Sequence, residues 1–279
     1  AMGAFRTLGE MNACRGDPVT HLSFGSSFIA VTSVTAVASG GVGQDIWHRI
    51  VPNVSAGLLL LKDKDPDKTA LTSREQFVLS GTALKGAVRD RAVRIYNTLS
   101  GKHMSGNEDP EDIKELFGWV DEEGKDSYKS KSRVRVTESY INKNTVHQER
   151  QPRIKIDRFT GGVIGGALFE TEPIWHKEEK IKVKIQVKKQ KDRDSLWEVG
   201  LMLLVLKDLW NVDLPVGGEK SIGRGLLVGR QARIRVDGRE FEMKEKEKGA
   251  LDIKGDRDVM EEYVSKFLKH VGRHEHAQN

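Results

Sequence analysis

Cysteine is almost absent: Cys14 is the only one in 279 residues. No intrachain disulfide can form and no thiolate metal cluster can be assembled from this chain, which fits a reducing cytoplasm. Long apolar runs are missing as well. None reaches the roughly 18 residues that a bilayer span needs, so no membrane partner is expected, and the start AMGAF reads as a cloning remnant, not a signal peptide. The eight histidines show neither His-x-x-His nor His-Glu-x-x-His spacing. The terminal HVGRHEH reads as a tail that binds metal only adventitiously, and no structural zinc site is expected. There is no internal repeat and no polybasic tail. A strong charge of either sign is also lacking: 46 Lys and Arg stand against 41 Asp and Glu, a net +5, so where the charge sits matters more than its sum.

What is present is enough apolar residue, 37%, for one large core or two small ones, arranged with clear periods. HLSFGSSFIAVTSVTAV, from His21 to Val37, is rich in β-branched residues and reads as one long or two short strands. The glycines of ASGGVGQD then break it into a loop. Ser80 or Thr82 can cap a helix in which Leu84, Val88, Ala92, Ile95 and Leu99 recur at helical spacing, with Lys85, Arg89, Arg91 and Arg94 largely off that stripe. Residues 101–151 turn polar and charged and read as an insertion holding one short helix, EDPEDIKELFGW.

KIKVKIQVK, from Lys180 to Lys188, alternates Ile181, Val183, Ile185 and Val187 with Lys180, Lys182, Lys184 and Lys188. That predicts a half-buried strand with a positive outer face. LWEVGLMLLVLKDLW, started by Asp194 or Ser195, is apolar nearly all round and predicts a buried helix. After the glycine-rich PVGGEKSIGRG, the segment LLVGRQARIRV puts Leu226, Val228, Ala232, Ile234 and Val236 on one face and Gln231, Arg233 and Arg235 on the other. Residues 256–271 form a C-terminal amphipathic helix. Strand, helix, polar insertion, strand, helix, strand is the order of a split βαβ, ferredoxin-like α+β fold in a single domain over residues 1–279. RNA is often bound on the open sheet of such a fold.

Two short stretches suit anions. The start of the first helix offers unpaired N–H groups and a positive dipole end, with Ser80 and Thr82 at its cap, Lys85 in its first turn and Arg89 beyond. The plain alternative is an amphipathic helix with a solvated basic face. In GGEKSIGRG, Gly217, Gly218, Gly223 and Gly225 let the main chain pass close to a ligand, and Lys220 and Arg224 supply charge. This is not a Walker A loop, because no Gly-Lys-Ser/Thr opens a helix after it. A nucleotide site in a standalone enzyme therefore ranks below an RNA-backbone contact or a simple connection.

LSGTALKGAVRDRA, then IKIDRFTGGVIGGALFETEPI, then LKDLWNVDLPVGGEKSIGRGLLVGR, in that order, resemble the RAMP superfamily, the RNA-binding subunits of type III CRISPR effector complexes in antiviral defence. The first is similar to the family's Gly/Ser-x-Leu-Lys-Gly-x-x-Arg helix start, the second to its Ile-Asp-Arg-x-Thr-Gly segment, and the third to its C-terminal glycine-rich loop. The resemblance implies a ferredoxin-like, RRM-related core and a cytoplasmic backbone subunit. Its partners would be guide RNA, target RNA and other subunits, copies of itself among them. Backbone subunits often cut target RNA with a loop aspartate and a divalent metal, Mg²⁺ or Mn²⁺.

The residue matching that aspartate is Asp45 in GGVGQDIWHRI, as catalytic carboxylate and metal ligand, with His48 and Arg49 near enough to assist. Gln44 intervenes and Trp47 stands where the family usually has proline, so a purely architectural subunit is the alternative and Asp45 is then a turn cap. Cutting through the ribose 2′-hydroxyl needs positioning, charge stabilisation and proton transfer. Asp157 and Arg158 read as structural support and RNA contact respectively, or as an internal ion pair.

Overall fold

The computed structural model describes residues 28–32, 66–101, 109–120, 129–176, 181–190, 195–246 and 251–276. In chain order its principal elements are β1 (Phe28–Thr32), α1 (Gly81–Leu99), α2 (Glu111–Phe117), β2 (Val134–Thr137), β3 (Gln151–Ile156) and β4 (Val163–Glu172). Then follow β5 (Lys184–Lys188), α3 (Leu196–Trp210), β6 (Gln231–Val236), β7 (Arg239–Glu245), β8 (Leu251–Lys254) and α4 (Arg257–His276). The architecture is mixed α+β, with four α-helices among the described residues. The described residues group into two compact units: those within 1–37, 79–139 and 180–279 form one, and those within 38–78 and 140–179 the other.

The first unit is built on a six-stranded sheet in the order β8–β7–β6–β1–β5–β2, every neighbouring pair antiparallel. The alternation expected of β5 and β6 is what the sheet uses. Val183, Ile185 and Val187 are buried with Ala232, Ile234, Val236, Phe241 and Met243, in one core with side chains of all four helices. Lys182 and Lys188 face outward. The apolar helix α3 is buried almost throughout and crosses α4 closely: a Cβ on Gly200 would stand 2.8 Å from the Tyr263 carbonyl carbon. In α4, Met260, Tyr263, Val264, Phe267 and Val271 recur at helical spacing and are all buried. Asp112 of α2 ties the helices together, accepting from Tyr96 Oη of α1 at 2.6 Å and lying 2.8 Å from His270 Nε2 of α4. His270 stacks on Trp197 of α3, 4.4 Å between centroids.

One expectation needs correcting. Residues 101–151 are not wholly an insertion: Val134–Thr137 is the edge strand β2 of the sheet, and Ile113, Leu116 and Phe117 of α2 enter the core. The strand is only four residues long and sits among charges, which hid it. Its anchor is Arg133, whose guanidinium grips the buried Glu198 of α3 through Nη2–Oε1 at 2.5 Å and Nη1–Oε2 at 2.8 Å.

The second unit consists of small sheets. β3 and β4 form a hairpin, and Lys68–Thr69 pairs parallel with the end of β4. Val146–Gln148 pairs with Ile174–His176, and Thr72–Ser73 with Gln76–Leu79.

Candidate nucleic-acid interface

Ser80 is the cap of α1, as its residue type suggests: its extended backbone sits outside the helix and its hydroxyl accepts from Ala83 N at 3.3 Å. Thr82 Oγ1 lies 2.5 Å from Ser80 Oγ. Gly81 is buried against β2, where a Cβ would come 2.6 Å from the Val136 carbonyl oxygen. The helix end is therefore fixed at the edge of the sheet. Lys85, expected to point into water, is half-buried. Burial, and after it the charge of Arg89, pulls its ammonium below the ordinary lysine range. The other cations of α1 have carboxylate partners: Arg89 pairs with Asp109 (2.5 Å), Arg91 with Asp208 (2.6 Å) and Arg94 with Asp90 (3.1 Å). Lys85 has no carboxylate partner among the described residues.

On the sheet face opposite the core, register decides which cations stand free. Lys184 pairs across to Thr137 of β2, and Gln186 pairs to Arg135. Lys182, Lys184, Lys188 and Arg135 carry no ion pair among the described residues. On β6 the opposite holds. Arg235 faces Glu240 and Arg233 faces Glu242 on β7, and the Nε atoms of Arg233 and Arg235 each lie 3.0 Å from a Glu240 oxygen. Burial would raise the Glu242 carboxyl. Hydrogen bonds from Lys244 and Gln231, with the charges of Lys244 and Arg233, outweigh that and hold it below the ordinary range. Glu242 therefore stays ionised opposite Arg233.

In the glycine loop, Lys220 is exposed at the start of a 3₁₀ turn, Lys220–Ile222. Arg224 is turned onto Glu219 in an ion pair. Gly217, Gly223 and Gly225 have φ of 91°, 79° and 76°, while Gly218 does not adopt positive φ. Gly225 is a packing position, because a Cβ there would lie 2.8 Å from the Val216 carbonyl carbon, and Val216 N donates to Gly225 O at 2.9 Å.

The second unit holds Arg158, exposed in the β3–β4 turn. It makes no ion pair with Asp157. Asp157 Oδ1 instead accepts from Phe159 N (2.7 Å) and Thr160 N (3.1 Å), closing the turn. Those two N–H groups, Thr160 first, hold its carboxyl below the usual range. The hairpin displays apolar side chains to water: Phe159 is fully exposed, and Ile154, Ile156, Val163 and Leu168 are each half-exposed or more.

Asp45, His48 and Arg49 lie outside the described residues. Among the described residues no group of three or more His, Cys, Asp or Glu side chains could hold a metal ion. No described helix is long and apolar enough to cross a membrane. Sequence reasoning missed Arg135, although the alternation Arg133, Val134, Arg135, Val136 carries the period of a strand. It also missed Phe159. A family model described as "Domain of unknown function (DUF4311)" matches residues 1–102. Among the curated proteins, none matches the chain.

Proposed function

We propose that this chain is an RNA-binding backbone subunit of the RAMP type, holding guide RNA in a type III CRISPR effector complex. The observation that carries the reading is the strand order. Taken in chain order, β1, α1, β2, β5, α3 and β6 run strand, helix, strand, strand, helix, strand. The sheet sets their strands as fourth, first, third, second, all antiparallel. That order favours a ferredoxin-like core, with β7 and β8 added beyond β6. Three features at the surface suit RNA. The capped start of α1 offers N–H groups and the ammonium of Lys85; the sheet edge beside it carries unpaired cations; and the hairpin of the second unit presents an exposed aromatic next to Arg158, a surface for base stacking.

In this reading the grip is on phosphates and base faces, so single-stranded RNA binds with little sequence preference and with affinity that falls steeply as salt rises. Target cutting is assigned to Asp45, with a divalent metal supplying charge stabilisation when bound. A carboxylate beside a phosphate backbone repels it, so Asp45 serves chemistry and not affinity.

Purified chain titrated with labelled single-stranded RNA tests the reading. Lys85→Ala and Phe159→Ala should each weaken binding without lowering the melting temperature, and wild-type binding that is absent, or indifferent to salt, would refute it. In the reconstituted complex Asp45→Ala should abolish cutting and leave RNA affinity equal or slightly higher. Cutting at the unmutated rate would leave the architectural reading standing.

A further inference from the structure

We infer that a single nucleic-acid strand runs along β5, its phosphates held by Lys182, Lys184 and Lys188 with Arg135 flanking, and that Glu240 and Glu242 keep it off the β6–β7 half of the same face. The inference rests on the RNA-binding reading and adds where the strand lies and what excludes it elsewhere.

The first support is spacing. Alternate residues on one strand face stand about 6.7 Å apart, so Lys184, Gln186 and Lys188 of β5 make a row with one polar group at each step and a charge at two of the three, and the exposed Lys182 lies just before the strand begins. A row of that kind matches a repeating backbone charge better than it matches any compact anion. Arg135 is the direct cross-strand neighbour of Gln186, so it fills the step at which β5 itself is neutral. The row ends beside the helix start: Thr137 pairs with Lys184, Ser139 Oγ donates to Lys182 O, and Gly81 packs on Val136. A strand leaving the α1 cap around the β2 edge meets Lys182 and Lys184 first.

The second support is what lies on the other half. β6 carries Arg233 and Arg235, which look equivalent to the β5 lysines by pattern. Opposite them stand Glu242 and Glu240, and Glu240 touches both arginines at 3.0 Å. A phosphate approaching there meets cations whose charge is already matched and two carboxylates that repel it. The same face is thus divided between a free cationic row and a compensated ladder.

The experiment is fluorescence anisotropy of the full chain with a labelled oligouridylate, from about 0.05 to 0.2 M salt, where single-strand binding loses about 0.7 in log–log slope per phosphate contact removed. Lys182→Ala, Lys184→Ala, Lys188→Ala and Arg135→Ala should each reduce the slope by about 0.7 and the affinity by about fivefold at 0.1 M salt. Arg233→Ala and Arg235→Ala should change neither, and Glu240→Gln with Glu242→Gln should tighten binding and steepen the slope. If the β5 variants bind as wild type while Lys85→Ala and Phe159→Ala do not, RNA binding stands and the β5 path is overturned. If Arg233→Ala costs as much as Lys184→Ala, the division of the face is overturned. If wild type binds no oligouridylate at low salt, this inference and the RNA-binding reading fall together.

Discussion

Removing Arg133 should uncover how much the sheet edge depends on one buried charge pair. Glu198 is 2% exposed. Its carboxyl is pushed above the ordinary range by burial most of all, against which the hydrogen bond and charge of Arg133 pull down, while Asp112 and Glu115 add to the rise. Arg133→Ala leaves that carboxylate buried without its main counter-charge, a loss of about 3–5 kcal/mol at neutral pH, which lowers the melting temperature by on the order of 10 °C. The pH dependence has a definite sign. An acid whose folded value lies above its unfolded value binds its proton more tightly in the fold. Protonation of Glu198 therefore favours folding at low pH, and that contribution fades as pH rises from the ordinary carboxylate range through the folded value. Without Arg133 the folded value moves higher still. The deficit of Arg133→Ala should be small near about pH 4.5 and full near about pH 7, and adding Glu198→Gln should recover much of it by removing the charge that was stranded. Thermal melts of the three proteins at both pH values decide it. A deficit equal at the two pH values, or no deficit at all, would refute the account.

Two further outcomes test local geometry. Gly225→Ala sets a Cβ against the Val216 carbonyl at a φ of 76° and should cost more than about 2 kcal/mol, whereas Gly223→Ala, at φ 79° with open space around it, should cost only about 1 kcal/mol; urea denaturation of the pair compares them. Asp157→Ala removes the carboxylate that closes the hairpin turn and should speed amide exchange at Phe159 and Thr160 while the global melt stays unchanged.

Much of the fold is written in periods that survive folding. α1 and α4 bury residues at helical spacing, although Leu99 at the end of the α1 stripe is exposed, α3 is buried almost throughout as its all-round apolar sequence predicts, and β5 and β6 keep the alternation. Segments of this length are legible because their apolar pattern records which surface is buried. β2 has too few residues for that. Its four positions lie in a stretch whose composition says solvent, and what places them in the sheet is antiparallel pairing with the distant β5, beside the ion pair of Arg133 with Glu198, 65 residues away. The division into two units is equally hidden, since it depends on which segments return to pack together and not on any break in composition.

The site was legible in the identity of its cations and not in their freedom. Lys184 and Arg235 occupy the same kind of position on strands of the same kind, and nothing local separates them. The difference lies in the neighbouring strand, and for β6 the sequence does hold a clue to it. Asp237-Gly238 is a two-residue hairpin signal, and the chain uses it so, with φ of 51° and 79° at the two positions. A turn of that length sets Val236 opposite Arg239, and every later pair follows: Arg235 must meet Glu240 and Arg233 must meet Glu242. β5 has no such turn to its neighbours, because β1 and β2 reach it from far along the chain. Among the described residues its cations carry no ion pair, and the residues that register sets opposite them, Thr137 and Thr32 for Lys184 and Phe28 for Lys188, carry no negative charge. Cross-strand register, more than the count of basic residues, thus decides which half of the face can attract a phosphate backbone, and a net charge of only +5 is no obstacle to a strongly cationic row.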